Sequence, residues 1–191
     1  MTWILTRSGV KFDLLTPTAA MIHPMDIAHS LSMQCRFNGH TEHFYSVAQH
    51  SCIVADLVPE EHQLVALLHD AAEAYVGDLV RPLKMEMREY SYAMGIEPIY
   101  QTVERRVWLA ICSHFQINPE LPPCVHDADM IALATERRDL MPDHPAAWDC
   151  LAGTQPMAER IEPLPPSAAS ILYFNRLMEL LSSTNRGRAV A

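Results

Sequence analysis

The segment Leu67-Leu68-His69-Asp70-Ala71-Ala72-Glu73 sets an imidazole beside a carboxylate inside an otherwise apolar helical run. Burying either group costs several kcal/mol unless it is hydrogen-bonded, paired or coordinated. A metal ion satisfies both at once, and further ligands of the right type occur on either side. Upstream, Val47, His50, Val54 and Leu57 fall at helical spacing on one stripe, which turns His50 inward. Downstream, Val125, Asp129 and Ala132 share a face that points Asp129 to the core, whereas Asp127, two positions earlier, points the other way. The set His50, His69, Asp70 and Asp129 offers two imidazoles and two carboxylates from three expected helices. That chemistry suits Mn²⁺, Fe²⁺, Co²⁺, Ni²⁺ or Zn²⁺ better than Ca²⁺ or a thiolate site. Taken alone, His50 reads more readily as a satisfied core histidine, and Asp129 can be read as a capping or salt-bridging carboxylate. The company of His69-Asp70 favours ligation. His23, His29, His40, His43, His62, His114, His126 and His144 have no comparable setting.

The elements that must position these residues are mostly helical. Apolar periodicity predicts helices over roughly 24–36, 43–57, 60–76, 84–94, 97–116, 122–142 and 166–183, with Pro59, Pro82, Pro98, Pro119, Pro142 and Pro166 among the prolines at or beside the breaks. Before them, Thr2–Thr6 and Val10–Leu15 flank Gly9 and read as a short β-hairpin lidding one end of the bundle. The stretch from Pro142 to Pro166 is weakly periodic and reads as a long loop, a type that often carries function. The expectation is an all-α bundle with an N-terminal hairpin, one domain over 1–185, and a disordered tail over 186–191.

Composition frames the chemistry. With 191 residues and a hydrophobic fraction of 49%, the chain can bury a substantial core. Cys35, Cys52, Cys112, Cys124 and Cys150 are odd in number and form no C-x-x-C pair, which argues against a disulfide framework or zinc ribbon and fits a reducing cytoplasm. There is no signal-peptide pattern and no run near the roughly 20 apolar residues of a spanning helix. A net charge of −9 disfavours stable nucleic-acid binding, which needs basic patches. It leaves room for a small phosphorylated substrate held by local cations such as Arg36, Arg81 and Lys84.

Between Ile27 and Glu136 the chain resembles the HD-domain metal-dependent phosphohydrolases. It is most similar to the small branch of bacterial 5'-deoxynucleotidases and related nucleotide phosphohydrolases. The resemblance is carried by Arg36-Phe37, Gln49-His50-Ser51, His69-Asp70-Ala71-Ala72-Glu73, Gly77-Asp78-Leu79 and Ala128-Asp129. It implies an HD-type helical bundle and a single divalent ion, Mn, Co, Fe, Ni, Zn or Mg, held by His50, His69, Asp70 and Asp129. It also implies hydrolysis of nucleotides, with deoxynucleoside 5'-monophosphates as the expected substrates and a metal-activated water as nucleophile. In that setting Glu73 can deprotonate the water. Asp78 would contact the water or protonate the leaving sugar oxygen, and spacing does not divide acid from base between the two.

Arg36 is the expected phosphate clamp, since a guanidinium grips phosphate oxygens bidentately. Phe37 stands where the family usually carries tryptophan, which weakens transfer of its sugar and base contacts. In Gly77-Asp78-Leu79-Val80-Arg81-Pro82-Leu83-Lys84, Val80 and Arg81 replace the family's Pro and Thr. Lys84 and the added Arg81 are candidate substrate cations. Alternatives are a nucleoside triphosphate phosphohydrolase, which shares the ligand set, an inactive nucleotide sensor, and a helical interaction module with structural histidines. The apolar C-terminal helix Ile171–Leu181 either closes the core, the favoured reading, or supports a homodimer.

Overall fold

A computed structural model describes residues 2–183 with their side chains and carries the last helix on as backbone to Val190. The expected disordered tail over 186–191 lies outside the fully described residues. The architecture is mostly helical, with one short hairpin at the N-terminus. Strands β1 (Trp3–Leu5) and β2 (Lys11–Asp13) pair antiparallel, Ile4 opposite Phe12. Gly9 takes φ +84 in the connecting turn, a conformation open to glycine at little cost. Among the described residues eight α-helices follow: α1 (Pro24–Met33), α2 (Val47–Asp56), α3 (Gln63–Leu68), α4 (Glu73–Val76), α5 (Arg81–Ala93), α6 (Ile99–Phe115), α7 (Pro123–Leu140) and α8 (Pro166–Val190). No helix among the described residues is long and apolar enough to cross a membrane.

The termini of these helices follow from local chemistry. Ser46 caps α2, its hydroxyl accepting from the Gln49 amide at 3.2 Å. Pro24, Pro82 and Pro123 stand in the first turns of α1, α5 and α7, where no intrahelical partner for an N–H is lost. Helix α5 therefore starts before the expected residue 84, with Pro82 inside it rather than at a break. Helix α1 stops at Met33, short of the expected 36. Gln34 and Cys35 are extended, and Arg36–Gly39 form a 3₁₀ turn in which Phe37 and Asn38 are left-handed, with φ 56 and 52. The long loop carries a single short turn at Asp149–Leu151.

The expected helix over 60–76 is divided. After α3 the chain tightens through bonds from the Ala71 amide to the Leu68 carbonyl (2.8 Å) and from Glu73 to Asp70 (3.0 Å). His69 contributes to the change, because its Nδ1 donates to the Ala66 carbonyl at 2.7 Å, an acceptor that an uninterrupted α-helix would give to Asp70. Three-residue closure replaces the four-residue register across this stretch.

Helix α2 is the hub. It packs on α1, α3, α7 and α8, and it buries Val47, Ala48, Gln49, His50, Ser51, Cys52, Val54 and Ala55. Helix α8 lies across α1, α2 and α3 with Ala169, Tyr173 and Leu177 fully buried, and the Tyr173 hydroxyl donates to the Leu67 carbonyl at 3.1 Å. It therefore closes the core. The hairpin docks through Phe12, stacked on Tyr75 at 3.9 Å, and through Asp26 of α1, whose carboxylate accepts from the Ser8 amide at 2.8 Å and hydroxyl at 2.5 Å.

Burial of Asp26 opposes its ionisation, but the Ser8 and Thr6 hydrogen bonds outweigh it and hold the carboxyl below its ordinary 3.8. A depressed carboxyl stabilises the fold above its unfolded value, and that contribution is lost as pH falls through the lower, folded one. Ser8→Ala should cost about 1 kcal/mol at pH 7, at the modest end because Ser8 is exposed. In urea titrations its deficit relative to the parent should shrink below about pH 4, whereas a deficit independent of pH would place its origin elsewhere.

Candidate metal centre and adjoining cavity

His50 comes from α2, His69 and Asp70 from the tightened turn between α3 and α4, and Asp129 from α7. His50, His69 and Asp129 each present one ligand atom, all within 4.8 Å of one another, and this group can hold a metal ion. Asp70 joins them, its Oδ2 lying 3.2 Å from His69 Nε2 and 3.5 Å from His50 Nε2. The Nε2 atoms of both histidines are buried without a hydrogen-bond partner. Their Nδ1 atoms are occupied, by Glu136 Oε1 at 2.6 Å and by the Ala66 carbonyl. An imidazole that donates from Nδ1 presents a bare Nε2 lone pair, which is the state a metal requires. These residues fit a divalent cation on that ground. Asp127 is exposed on α7, as the periodicity predicts, and among the described residues no other histidine joins the group.

The charges around the cluster explain its titration. For Asp70, burial opposes ionisation, but His69, His50 and Arg36 hold the carboxyl well below the usual carboxylate range. For His50, burial and Arg36 disfavour the cation, yet Glu136 and Asp129 override them and push the imidazole up to about 10. Glu73 and Asp78 shift the other way. Burial first, then Asp70 and Asp78, drives Glu73 well above its ordinary value against the pull of Lys84. Burial and Asp70 raise Asp78 against Arg36 and Lys84.

The expected substrate residues divide in their placement. Lys84 Nζ is engaged by Glu73 Oε1 at 2.9 Å and Glu104 Oε1 at 3.2 Å. Arg36 directs Nε and Nη2 to Glu136 Oε2, at 3.2 and 3.1 Å. Phe37 lies under the Arg36 guanidinium, 5.4 Å from it, and 6.1 Å from Trp148. Arg81 is exposed in the first turn of α5. A cavity of about 210 Å³ adjoins His69, Asp70 and Glu73, its far wall built by Gln101, Glu104, Arg105 and Trp108 of α6 and by Leu121.

No family model matches the chain. It is 39% identical over 184 residues to the uncharacterized protein YfdR of Escherichia coli, an alignment spanning 94% of this chain and 96% of that protein. The chain belongs to the YfdR family. An uncharacterized protein of Rhodobacter capsulatus is 30% identical over 187 residues, spanning 88% of this chain and 91% of the relative.

Within this member of the YfdR family, sequence reasoning missed the residues that support the cluster. Glu136 is fully buried and contacts both His50 and Arg36. A signal existed, since it lies two helical turns beyond Asp129 on the same face of α7. Gln34 is the second omission. Its amide donates to the Glu73 carbonyl at 3.0 Å and accepts from the Asp78 amide at 3.0 Å, clasping both ends of the acidic segment. Ser30 and Tyr100 add bonds to the Ala74 and Gly77 carbonyls at 2.8 and 3.0 Å.

Gly77 is the pivot of that segment, at φ 85 and ψ 151, a region essentially confined to glycine. A methyl group there meets open space, so only the backbone conformation resists it. Gly77→Ala should destabilise by about 1–3 kcal/mol in urea unfolding and should speed amide exchange across residues 73–78. An unchanged midpoint and exchange pattern would show that the segment tolerates a side chain.

Proposed function

We propose that this chain is an HD-type metal-dependent phosphohydrolase that removes phosphate from nucleotides, with deoxynucleoside 5'-monophosphates as substrates. The carrying observation is the convergence of two bare, buried Nε2 atoms on the carboxylates of Asp70 and Asp129 at the edge of a cavity. The wall opposite the cluster supports a nucleoside ligand. Trp108 and Leu121 suit a ring face, and Gln101, Glu104 and Arg105 suit hydroxyl and polar base atoms.

His50, His69, Asp70 and Asp129 would hold the ion. A divalent ion supplies electrophilic activation of the phosphoryl group and of the attacking water. Water adds to phosphorus, the bond from phosphorus to the sugar oxygen breaks, and the products are a nucleoside and inorganic phosphate. One proton leaves the water and one reaches the sugar oxygen. Glu73 and Asp78 are suited to that exchange, because burial and repulsion from Asp70 keep a proton on them at higher pH than on a free carboxyl. Glu73 Oε2 is buried and unpartnered, while Lys84 fixes Oε1.

Chromatography of products from deoxynucleoside mono-, di- and triphosphates with Mn²⁺, Co²⁺, Fe²⁺ or Mg²⁺ tests this reading. Nucleoside and phosphate from monophosphates support it. Triphosphate released from deoxynucleoside triphosphates moves the assignment to the triphosphohydrolase, and no product with any of the four ions removes nucleotide hydrolysis. Asp70→Ala should lower kcat/KM by more than about 100-fold, since loss of a residue merely supporting a ligand already costs about 10–100-fold. Metal binding should also be visible in stability. Mn²⁺ at about 100 times its Kd should add about 2.7 kcal/mol, and EDTA should reverse the gain in melting temperature.

A further inference from the structure

We infer that Arg36 and Glu136 form a brace that orients two metal ligands from behind, and that Arg36 is a positioning residue of the metal centre rather than a phosphate clamp. The inference rests on the metal-binding part of the proposed function and is independent of which substrate is hydrolysed.

The brace spans 100 residues of sequence and joins the turn after α1 to the C-terminal part of α7. Both oxygens of Glu136 are spent. Oε2 accepts from Arg36 Nε and Nη2, and Oε1 faces His50 Nδ1 at 2.6 Å. The Glu136 side chain is fully buried and that of Arg36 is 12% exposed, so neither can exchange its partner for water. At the other end of the guanidinium, Nη1 lies 3.7 Å from Asp70 Oδ2. One neutral pair therefore reaches two ligands: Glu136 sets the tautomer and ring plane of His50, and Arg36 draws the Asp70 carboxylate toward the centre.

A bidentate grip on phosphate needs two N–H groups of one guanidinium edge turned to the ligand. In Arg36 the Nε and Nη2 edge belongs to Glu136, Nη1 is drawn to Asp70, and the residue does not line the cavity. The backbone is arranged to keep it so. The Arg36 amide donates to the Tyr45 carbonyl at 2.9 Å, and the next two residues, Phe37 and Asn38, are left-handed without being glycine. Such backbone is retained where the surroundings over-determine it. Its result here is to place the Phe37 ring against the guanidinium.

Calorimetric titration of Mn²⁺ into the full-length protein, without nucleotide, tests the brace. Glu136→Gln has one acceptor oxygen for the two jobs, so its amide must turn NH₂ toward either Arg36 or His50. Arg36→Lys keeps the charge but cannot reach Glu136 and Asp70 together. Each variant, confirmed as folded by circular dichroism, should raise the Mn²⁺ Kd by about 10–100-fold, and the double variant should be no worse than the weaker-binding single one. An unchanged Kd in either folded variant overturns the brace. So does Arg36→Lys with parental Mn²⁺ affinity and a raised KM for a nucleotide alone, the signature of a clamp. If Glu136→Gln does not fold, Arg36→Lys decides. A parent protein that takes up no Mn²⁺ defeats the brace and the metal reading together, whereas one that binds Mn²⁺ and hydrolyses no nucleotide loses the proposed function while the Kd comparison still decides the brace.

Discussion

Charge balance in a confined space is the constraint on which this structure depends. Asp70, Glu73, Asp78, Asp129 and Glu136 gather around the junction of α2, α4 and α7, and Arg36 and Lys84 stand among them as permanent cations. Carboxylates packed in low dielectric cannot all remain ionised without compensation. The protein answers in three ways. Glu136 and Glu73 are paired with buried or half-buried cations. Burial and the neighbouring Asp70 push Glu73 and Asp78 upward, so they ionise less readily than free carboxyls. The bare Nε2 atoms of His50 and His69 beside Asp70 and Asp129 leave the remaining charge to be balanced by a cation that the group can hold. The same surplus of negative charge that makes the site costly to fold makes it a receptor for a cation.

Backbone geometry then converts composition into placement. Helix α2 is buried along nearly its whole length, and small residues such as Ala48, Ser51 and Ala55 let its neighbours approach closely enough for ligands from separate elements to meet. Between α3 and α4 the chain gives up the α-helical register, which carries His69 and Asp70 to the cluster and turns Glu73 toward Lys84. Gln34, Ser30 and Tyr100 hold that irregular segment by its main chain. A site built on an interrupted helix needs such bonds, because the intrahelical ladder no longer satisfies its carbonyls and amides.

The readable part of the site was its metal face. His50 and Asp129 sit on amphipathic helices whose inward stripe is visible in the periodicity, and His69-Asp70 is conspicuous because two polar groups interrupt an apolar run. The partners of the cations were not readable. Arg36 and Lys84 carry charges that suit a phosphate, but a sequence does not show that Glu136 and Glu104, both distant along the chain, already occupy them. The helix over 60–76 was misjudged for a related reason. Propensity and periodicity reward continuity, and the bond from the His69 ring to the Ala66 carbonyl that helps end the α-helical register is a side-chain event with no signature in the pattern.

What the sequence by itself determined is therefore most of the helices, the hairpin around Gly9 and the residue types able to ligate a cation. All three follow from local rules: apolar spacing, capping and turn chemistry, and the cost of burying unpaired polar groups. Only the tertiary structure decided which carboxylate neutralises which cation, which imidazole nitrogen is left bare, and which face of α6 walls the cavity. Those outcomes depend on contacts between residues tens to a hundred positions apart, such as Arg36 with Glu136, and a long-range pairing among many acids and few bases has no local signal from which it can be read.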